Sequence, residues 1–82
     1  MHTICLFGSD YKSSREVHQA LKALLAFPEY YGMNADALND CLGEYISCPA
    51  LWVRLDGCDD VQAALKTIMR VFADHEGLVK EL

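Results

Sequence analysis

The sequence predicts an α/β fold with two layers: a three-stranded parallel sheet of order 1-2-3 with helices packed on one face. Strand-like apolar segments alternate with segments of helical periodicity, and strands separated by helices pair in parallel. Parallel crossovers are right-handed, so helices that all cover one face force the order 1-2-3. Of the 82 residues, 52% are apolar, which is enough for one core. We therefore expect residues 1–82 to form a single domain.

The first strand and the first helix follow from local patterns. Residues 3–7 form an apolar run before Gly8, which is typical of a short strand. Ser13 and Glu16 offer a capping box for the helix. Pro28 is expected to end it, because the residue before a proline avoids helical geometry. The apolar stripe of this helix is formed by Val17, Ala20, Leu21, Leu24 and Leu25.

A loop over residues 28–34 leads into a second helix. Gly32 can take a backbone conformation that other residues avoid, and Asn34 is a suitable cap for the helix. One side of this helix is apolar and consists of Ala35, Leu38, Cys41, Leu42 and Tyr45. The opposite side, which we call the acidic face, consists of Asp36, Asp40 and Glu44.

A second strand is predicted over residues 50–55, after Pro49. Alternation places three of its residues inward, namely Leu51, Val53 and Leu55. It places three outward, namely Ala50, Trp52 and Arg54.

The last segments are a turn, a helix and a short strand. Asp56 and Gly57 indicate the turn, and Asp59 or Asp60 is expected to cap the helix. Gly77 is expected to stop the helix, before a very short strand within residues 78–82. The apolar stripe of this helix is formed by Val61, Leu65, Ile68, Met69 and Phe72.

Charge excludes one class of partner and favours another. The chain has 12 acidic and 7 basic side chains, for a net charge of -5. Nucleic acid binding usually needs a patch of Lys and Arg, which this sequence lacks, whereas an acidic surface attracts a basic protein. No apolar run approaches the roughly 18 residues of a membrane span, and no secretory signal opens the chain. We expect a cytoplasmic protein that binds neither nucleic acid nor a membrane.

The four cysteines are expected to be free thiols and not metal ligands. They contain no CxxC spacing and no zinc-like pairing with a histidine, and a reducing compartment disfavours disulfides. Cys5 and Cys41 lie in apolar patterns and are interpreted as small core residues. No metal and no cofactor are expected.

The acidic face carries a small cost in stability. Like charges four residues apart destabilise a helix by roughly 0.2 to 0.5 kcal/mol per pair. Tyr30 and Tyr31 precede this face, and carboxylates beside aromatic rings suit the recognition of Arg and Lys on a partner. A solvated helix face beside a packed loop explains the same pattern. Spacing alone does not choose between these two interpretations.

Two segments, residues 17–22 and 25–42, closely resemble the barstar family. The second contains the string Pro-Glu-Tyr-Tyr-Gly-x-Asn-x-Asp-Ala-Leu-x-Asp-Cys-Leu. The resemblance runs without a gap from about Thr3 to Pro49 and is weaker beyond that point. It implies an intracellular inhibitor of an extracellular, barnase-like ribonuclease, with three parallel strands in order 1-2-3. It also implies that the second helix and its preceding loop plug the nuclease active site.

The resemblance implies roles for individual residues as well. Asp36 and Asp40 match acidic contacts of the family, and Asp40 matches the central one. That residue sits where the substrate phosphate binds and faces catalytic Arg, Lys and His side chains. Tyr30 matches a tyrosine that packs against the catalytic histidine of the nuclease. Three further residues match interface positions, the last only across a gap: Gly32, Asn34 and Asp74.

Two features depart from the family pattern. Asn39 stands where the family usually has a bulky aromatic contact, so one interface anchor is missing. Residues 78–82 are shorter and more charged than the family's apolar last strand. Both departures leave the identity of the target more open than the fold.

We therefore expect a 1:1 inhibitor of a basic ribonuclease, and not an enzyme. An immunity protein against a different basic toxin shares the mechanism, and Asn39 keeps it open. An acidic carrier or adaptor domain is a further alternative, although the second helix begins without the serine that carries a prosthetic arm. Acid–base catalysis by Asp36 and Asp40 would need a cleft, which an exposed helix on a small domain offers poorly.

Overall fold

The computed structural model describes residues 3–44 and 48–82, and these form one sheet and three α-helices. The elements follow the predicted order, with a 3-10 turn added after the first strand. Tyr45, predicted on the apolar side of the second helix, lies outside the described residues. The elements are β1 (Thr3–Phe7), the 3-10 turn (Gly8–Asp10), α1 (Ser14–Leu25), α2 (Ala35–Gly43), β2 (Ala50–Arg54), α3 (Asp59–Asp74) and β3 (Val79–Glu81).

The sheet is parallel throughout and its strand order is β1-β2-β3, so the predicted fold class is confirmed. In the β1–β2 register, Ile4 lies beside Leu51 and Leu6 beside Val53. These four side chains are buried in a core that they share with all three helices. Because side chains alternate along a strand, the residues between them lie on the opposite, open face of the sheet.

One prediction about a strand residue is wrong. Cys5 is exposed and not in the core, because it alternates with Ile4 and Leu6 onto the open face. Leu55 lies one residue beyond the end of β2, where it is half-buried and packs against the core. By alternation Ala50 shares a face with Trp52, and it is buried there because neighbouring strands shield its methyl group on the central strand.

The start of α1 is as predicted, but its end is not. The backbone N–H of Glu16 donates to Ser13 Oγ at 3.4 Å. The Glu16 carboxylate in turn accepts from the backbone N–H of Lys12 at 3.1 Å, one residue before the cap. The helix ends at Leu25 and not at Pro28, because Ala26 adopts a left-handed conformation with φ 54°.

The buried face of α1 includes a histidine in place of a predicted leucine. Val17, Leu21 and Leu25 are buried as predicted, but Leu24 is 58% exposed and His18 only 6%. A buried imidazole is tolerated only if its polar atoms find partners. The partner of His18 comes from the loop before α2.

The start and the buried face of α3 differ from the prediction. Its N-cap is Cys58, without a side-chain cap, so neither Asp59 nor Asp60 caps the helix. The Asp60 carboxylate instead accepts from the backbone N–H of Ser14 at 2.7 Å, which joins the starts of α1 and α3. The buried face also includes two residues beyond the predicted stripe, Ala64 and Val71.

Gly77 is needed for space and not for a left-handed backbone. Glu76 takes the left-handed conformation after α3, with φ 61°, and the N–H of Gly77 donates to the carbonyl of Phe72 at 2.9 Å. A Cβ at Gly77 would lie 2.8 Å from Cys48 Sγ and 3.0 Å from the Phe72 carbonyl oxygen. Glycine at this position therefore lets the backbone between α3 and β3 pass close to Cys48 and Phe72.

Candidate partner-binding surface

The loop before α2 is anchored by Tyr31. This side chain is only 5% exposed, its hydroxyl lies 2.7 Å from His18 Nδ1, and its ring packs on Phe27 with centroids 4.8 Å apart. Burial raises the pKa of Tyr31 well above its ordinary value and lowers the pKa of His18. A neutral hydroxyl and a neutral imidazole therefore hold the loop to α1.

Tyr30 behaves in the opposite way. Its side chain is 82% exposed, although it directly precedes the buried Tyr31. An aromatic ring this exposed has a large apolar area that a partner can cover. Of the two adjacent tyrosines, one fixes the loop and the other is free to make contact.

The backbone between the tyrosines and α2 turns at Met33, with φ 58°. The prediction that Gly32 takes the unusual conformation is therefore wrong. Gly32 still has little room for a side chain, because a Cβ there would lie 3.3 Å from the Ala37 Cβ. Asn34 caps α2 as predicted: its Oδ1 accepts from the backbone N–H of Ala37 at 2.8 Å. Its Nδ2 donates to the Gly32 carbonyl at 3.2 Å.

A shallow, open groove of about 300 Å³ separates the exposed tyrosine from the acidic face. It brings together three residues predicted to bind the partner: Tyr30, Gly32 and Asp40. We call it the tyrosine groove; its lining is completed by Tyr31, Ala37 and Cys41. Cys41 is half-buried here, so it is not fully in the core as predicted. Burial raises the pKa of its thiol, and the carboxylates of Glu44 and Asp40 raise it further.

The carboxylates of the acidic face have no internal partners in the part of the chain that the structure describes. Asp36, Asp40 and Glu44 are all exposed. The ion pair found among the described residues joins Lys22 to Glu29 at 3.1 Å and includes none of the three. No hydrogen bond to a side-chain oxygen of the three is found among these residues. They therefore remain available to cations outside the molecule.

Asn39 and Asp74 lie where α2 meets the end of α3. The Asn39 Oδ1 lies 2.7 Å from Nε2 of His75, and His75 directly follows Asp74, the exposed last residue of α3. Sequence reasoning missed His75. No local pattern could have found it, because Asn39 is exposed and water can satisfy an exposed amide.

Comparison with known proteins identifies the family. The family model described as "Barstar (barnase inhibitor)" matches residues 1–80. The chain belongs to the barstar family. A protein of Bacillus subtilis (strain 168), named "Putative ribonuclease inhibitor YrdF", is 43% identical over 49 residues, or 60% of this chain and 54% of that protein. The match thus spans about half of that relative's length.

Membership of the barstar family confirms the resemblance in residues 17–22 and 25–42. Within the described residues, no helix combines the length and apolar character needed to cross a membrane. No group of three or more His, Cys, Asp or Glu side chains in the same part of the chain is arranged to hold a metal ion. The surface around α2 is the candidate for function, because its groove brings together three of the residues predicted to bind a partner.

Proposed function

We propose that this protein inhibits a basic, barnase-type ribonuclease by inserting α2 and residues 28–34 into its active site, as a 1:1 complex in the cytoplasm. One observation carries the proposal: Asp40, which is exposed, lines a groove together with the exposed ring of Tyr30. Membership of the barstar family supports the class of target.

Charge supports this target. A nuclease active site is built to hold phosphate, and is therefore lined by cationic donors that bind a carboxylate in the same way. Asp40 has no ion pair within the described residues, so no internal bond must break before it meets such donors. Asp36 and Glu44 lie one turn before and one turn after it, and they extend the negative potential that attracts a basic partner.

Preorganisation supports the mode of binding. The loop is held by Tyr31 on α1 and by Asn34 at the start of α2. A surface already fixed in its bound shape loses little conformational entropy on association, so more of the contact energy appears as affinity. Tyr30 is presented from this fixed loop and can pack against an imidazole or a guanidinium of the partner.

The geometry favours a binding protein over an enzyme. Asp36 and Asp40 are exposed on the outer surface of a helix, and the tyrosine groove beside them is shallow and open. Acid–base catalysis normally takes place in a concave site that excludes water. The arrangement offers carboxylates to a partner and does not enclose a substrate.

The test is the affinity of matched variants for a barnase-type ribonuclease, measured by calorimetry. We expect Asp40→Ala to lose about 2 kcal/mol or more, which is about thirtyfold in Kd; the barnase–barstar complex is itself a reference case for that range. Asp59→Ala removes the same charge from an exposed position at the start of α3 and should bind like the wild type. Equal affinity of the two variants would refute the proposed role of Asp40.

A further inference from the structure

The contact between Asn39 and His75 gives the acidic face a polar edge that carries no carboxylate. On a helix, Asn39 lies about 60° from Asp36 on the side away from Asp40, at about 100° per residue. The tyrosine groove therefore flanks one edge of the acidic face, and the Asn39–His75 pair flanks the other. Both edges fall within the surface that we propose to enter the ribonuclease.

The His75 side of the pair is anchored at the end of α3. The backbone N–H of His75 donates to the carbonyls of Val71 and Phe72, both at 3.2 Å, which fixes the backbone from which the imidazole projects. On α2, a Cβ at Gly43 would lie 3.9 Å from His75 Cε1, so the ring lies against the last turn of that helix. His75 thus spans from Gly43 to Asn39, one turn apart.

The hydrogen bond determines which groups the pair presents to a partner. The side-chain oxygen of Asn39 can only accept, so the hydrogen of the 2.7 Å contact belongs to Nε2 of His75. In the neutral ring, Nδ1 is then an acceptor. The Nδ2 group of Asn39 has two donor hydrogens, and no hydrogen bond from it is found among the described residues. The pair therefore offers a donor from Asn39 and, when the ring is neutral, an acceptor from His75.

We propose that Asn39 and His75 together form a specificity-determining element of this inhibitor, which rests on the proposed function. The element fits a partner surface that presents peptide groups or carboxamide side chains, which pair with one donor and one acceptor. It disfavours a surface that offers only an apolar pocket, because the polar groups of Asn39 and His75 would be buried there without partners.

Two substitutions at His75 separate recognition from a structural role. His75→Gln keeps a donor for Asn39 and an acceptor for the partner, whereas His75→Phe keeps a planar ring and loses both. Against a barnase-type ribonuclease that the wild type binds, we expect His75→Phe and Asn39→Ala each to weaken Kd about tenfold. His75→Gln should stay within about threefold of the wild type. The double variant Asn39→Ala/His75→Phe should be little worse than either single variant, because the pair acts as one unit.

Two independent readouts complete the test. The ¹⁵N resonances of His75 in the free protein should show hydrogen on Nε2 and none on Nδ1, and the opposite tautomer would overturn the inference. Wild-type affinity of His75→Phe, together with lost affinity of Asp40→Ala, would also overturn it while leaving the proposed function intact. If Asp40→Ala binds like the wild type, the proposed function fails first. A third outcome would also overturn the inference. If each variant loses affinity only in proportion to its loss of unfolding free energy, and His75→Gln binds no better than His75→Phe, then His75 is a structural residue.

Discussion

Replacing Tyr31 by Phe removes one oxygen atom from beneath the proposed interface and leaves the exposed surface unchanged. The lost hydroxyl lies 2.7 Å from Nδ1 of His18, and His18 is only 6% exposed. Water cannot easily replace the missing partner at so buried an atom. An orphaned polar group of this kind costs about 1 to 3 kcal/mol.

That cost is large for a domain of this size. Domains are stable by about 5 to 15 kcal/mol, and each kcal/mol lowers Tm by about 4 to 8 °C in a domain of 60–100 residues. We therefore expect Tyr31→Phe to unfold at a lower urea concentration than the wild type. The slope of unfolding free energy against urea concentration should not change. The ring still packs on Phe27, so the loss comes from the hydroxyl alone.

A double-mutant cycle with His18→Leu isolates the interaction. His18→Leu removes the imidazole that Tyr31→Phe leaves without a partner. In the His18→Leu background, Tyr31→Phe should therefore change the unfolding free energy little. A change in unfolding free energy below about 0.5 kcal/mol for Tyr31→Phe, or simple additivity of the two substitutions, would refute the role assigned to this hydrogen bond.

Three further predictions follow from the same structure. Burial lowers the pKa of His18 below its ordinary value of 6.5, so as pH falls the unfolded chain takes up this proton before the folded protein does. The unfolding free energy should therefore fall as pH drops below 6.5. Urea titrations at several pH values should show this dependence on pH, and His18→Leu should weaken it. Gly77→Ala should destabilise the fold by about 1 to 3 kcal/mol, because its Cβ would meet Cys48 Sγ and the Phe72 carbonyl; an unchanged Tm would contradict the crowding. Tyr30→Ala should leave Tm within about 4 °C, since loss of an exposed side chain changes stability by no more than about 0.5 kcal/mol, and should weaken ribonuclease binding at least tenfold if its ring is a hot spot; a larger fall in Tm without loss of affinity would show that the tyrosine is structural.

Features that depend on local chemistry were predictable from the sequence. Asn34 caps α2 because its side chain reaches a backbone N–H three residues on, and the parallel sheet follows from strands separated by helices. The acidic face was predicted from the spacing of its carboxylates, and the residues around Asp40 resemble the barstar family closely enough to indicate it from the sequence alone.

Features that depend on contacts across the chain were not predictable in this way. The burial of His18 depends on Tyr31, 13 residues away, which satisfies its ring nitrogen. Asn39 meets His75 across 36 residues. The left-handed residues Ala26, Met33 and Glu76 carry no pattern of their own, since the conformation usually belongs to Gly or Asn.

The most direct test of the central claim is a titration of a barnase-type ribonuclease with this protein, with RNA cleavage as the readout. If α2 and its preceding loop occupy the active site, cleavage should fall linearly to its baseline at one equivalent. More RNA substrate should slow the onset of inhibition, because substrate and inhibitor compete for the same site. Asp40→Ala should shift the inhibition curve to higher concentration. Full cleavage in the presence of excess wild-type protein, or inhibition that substrate does not affect, would contradict the account.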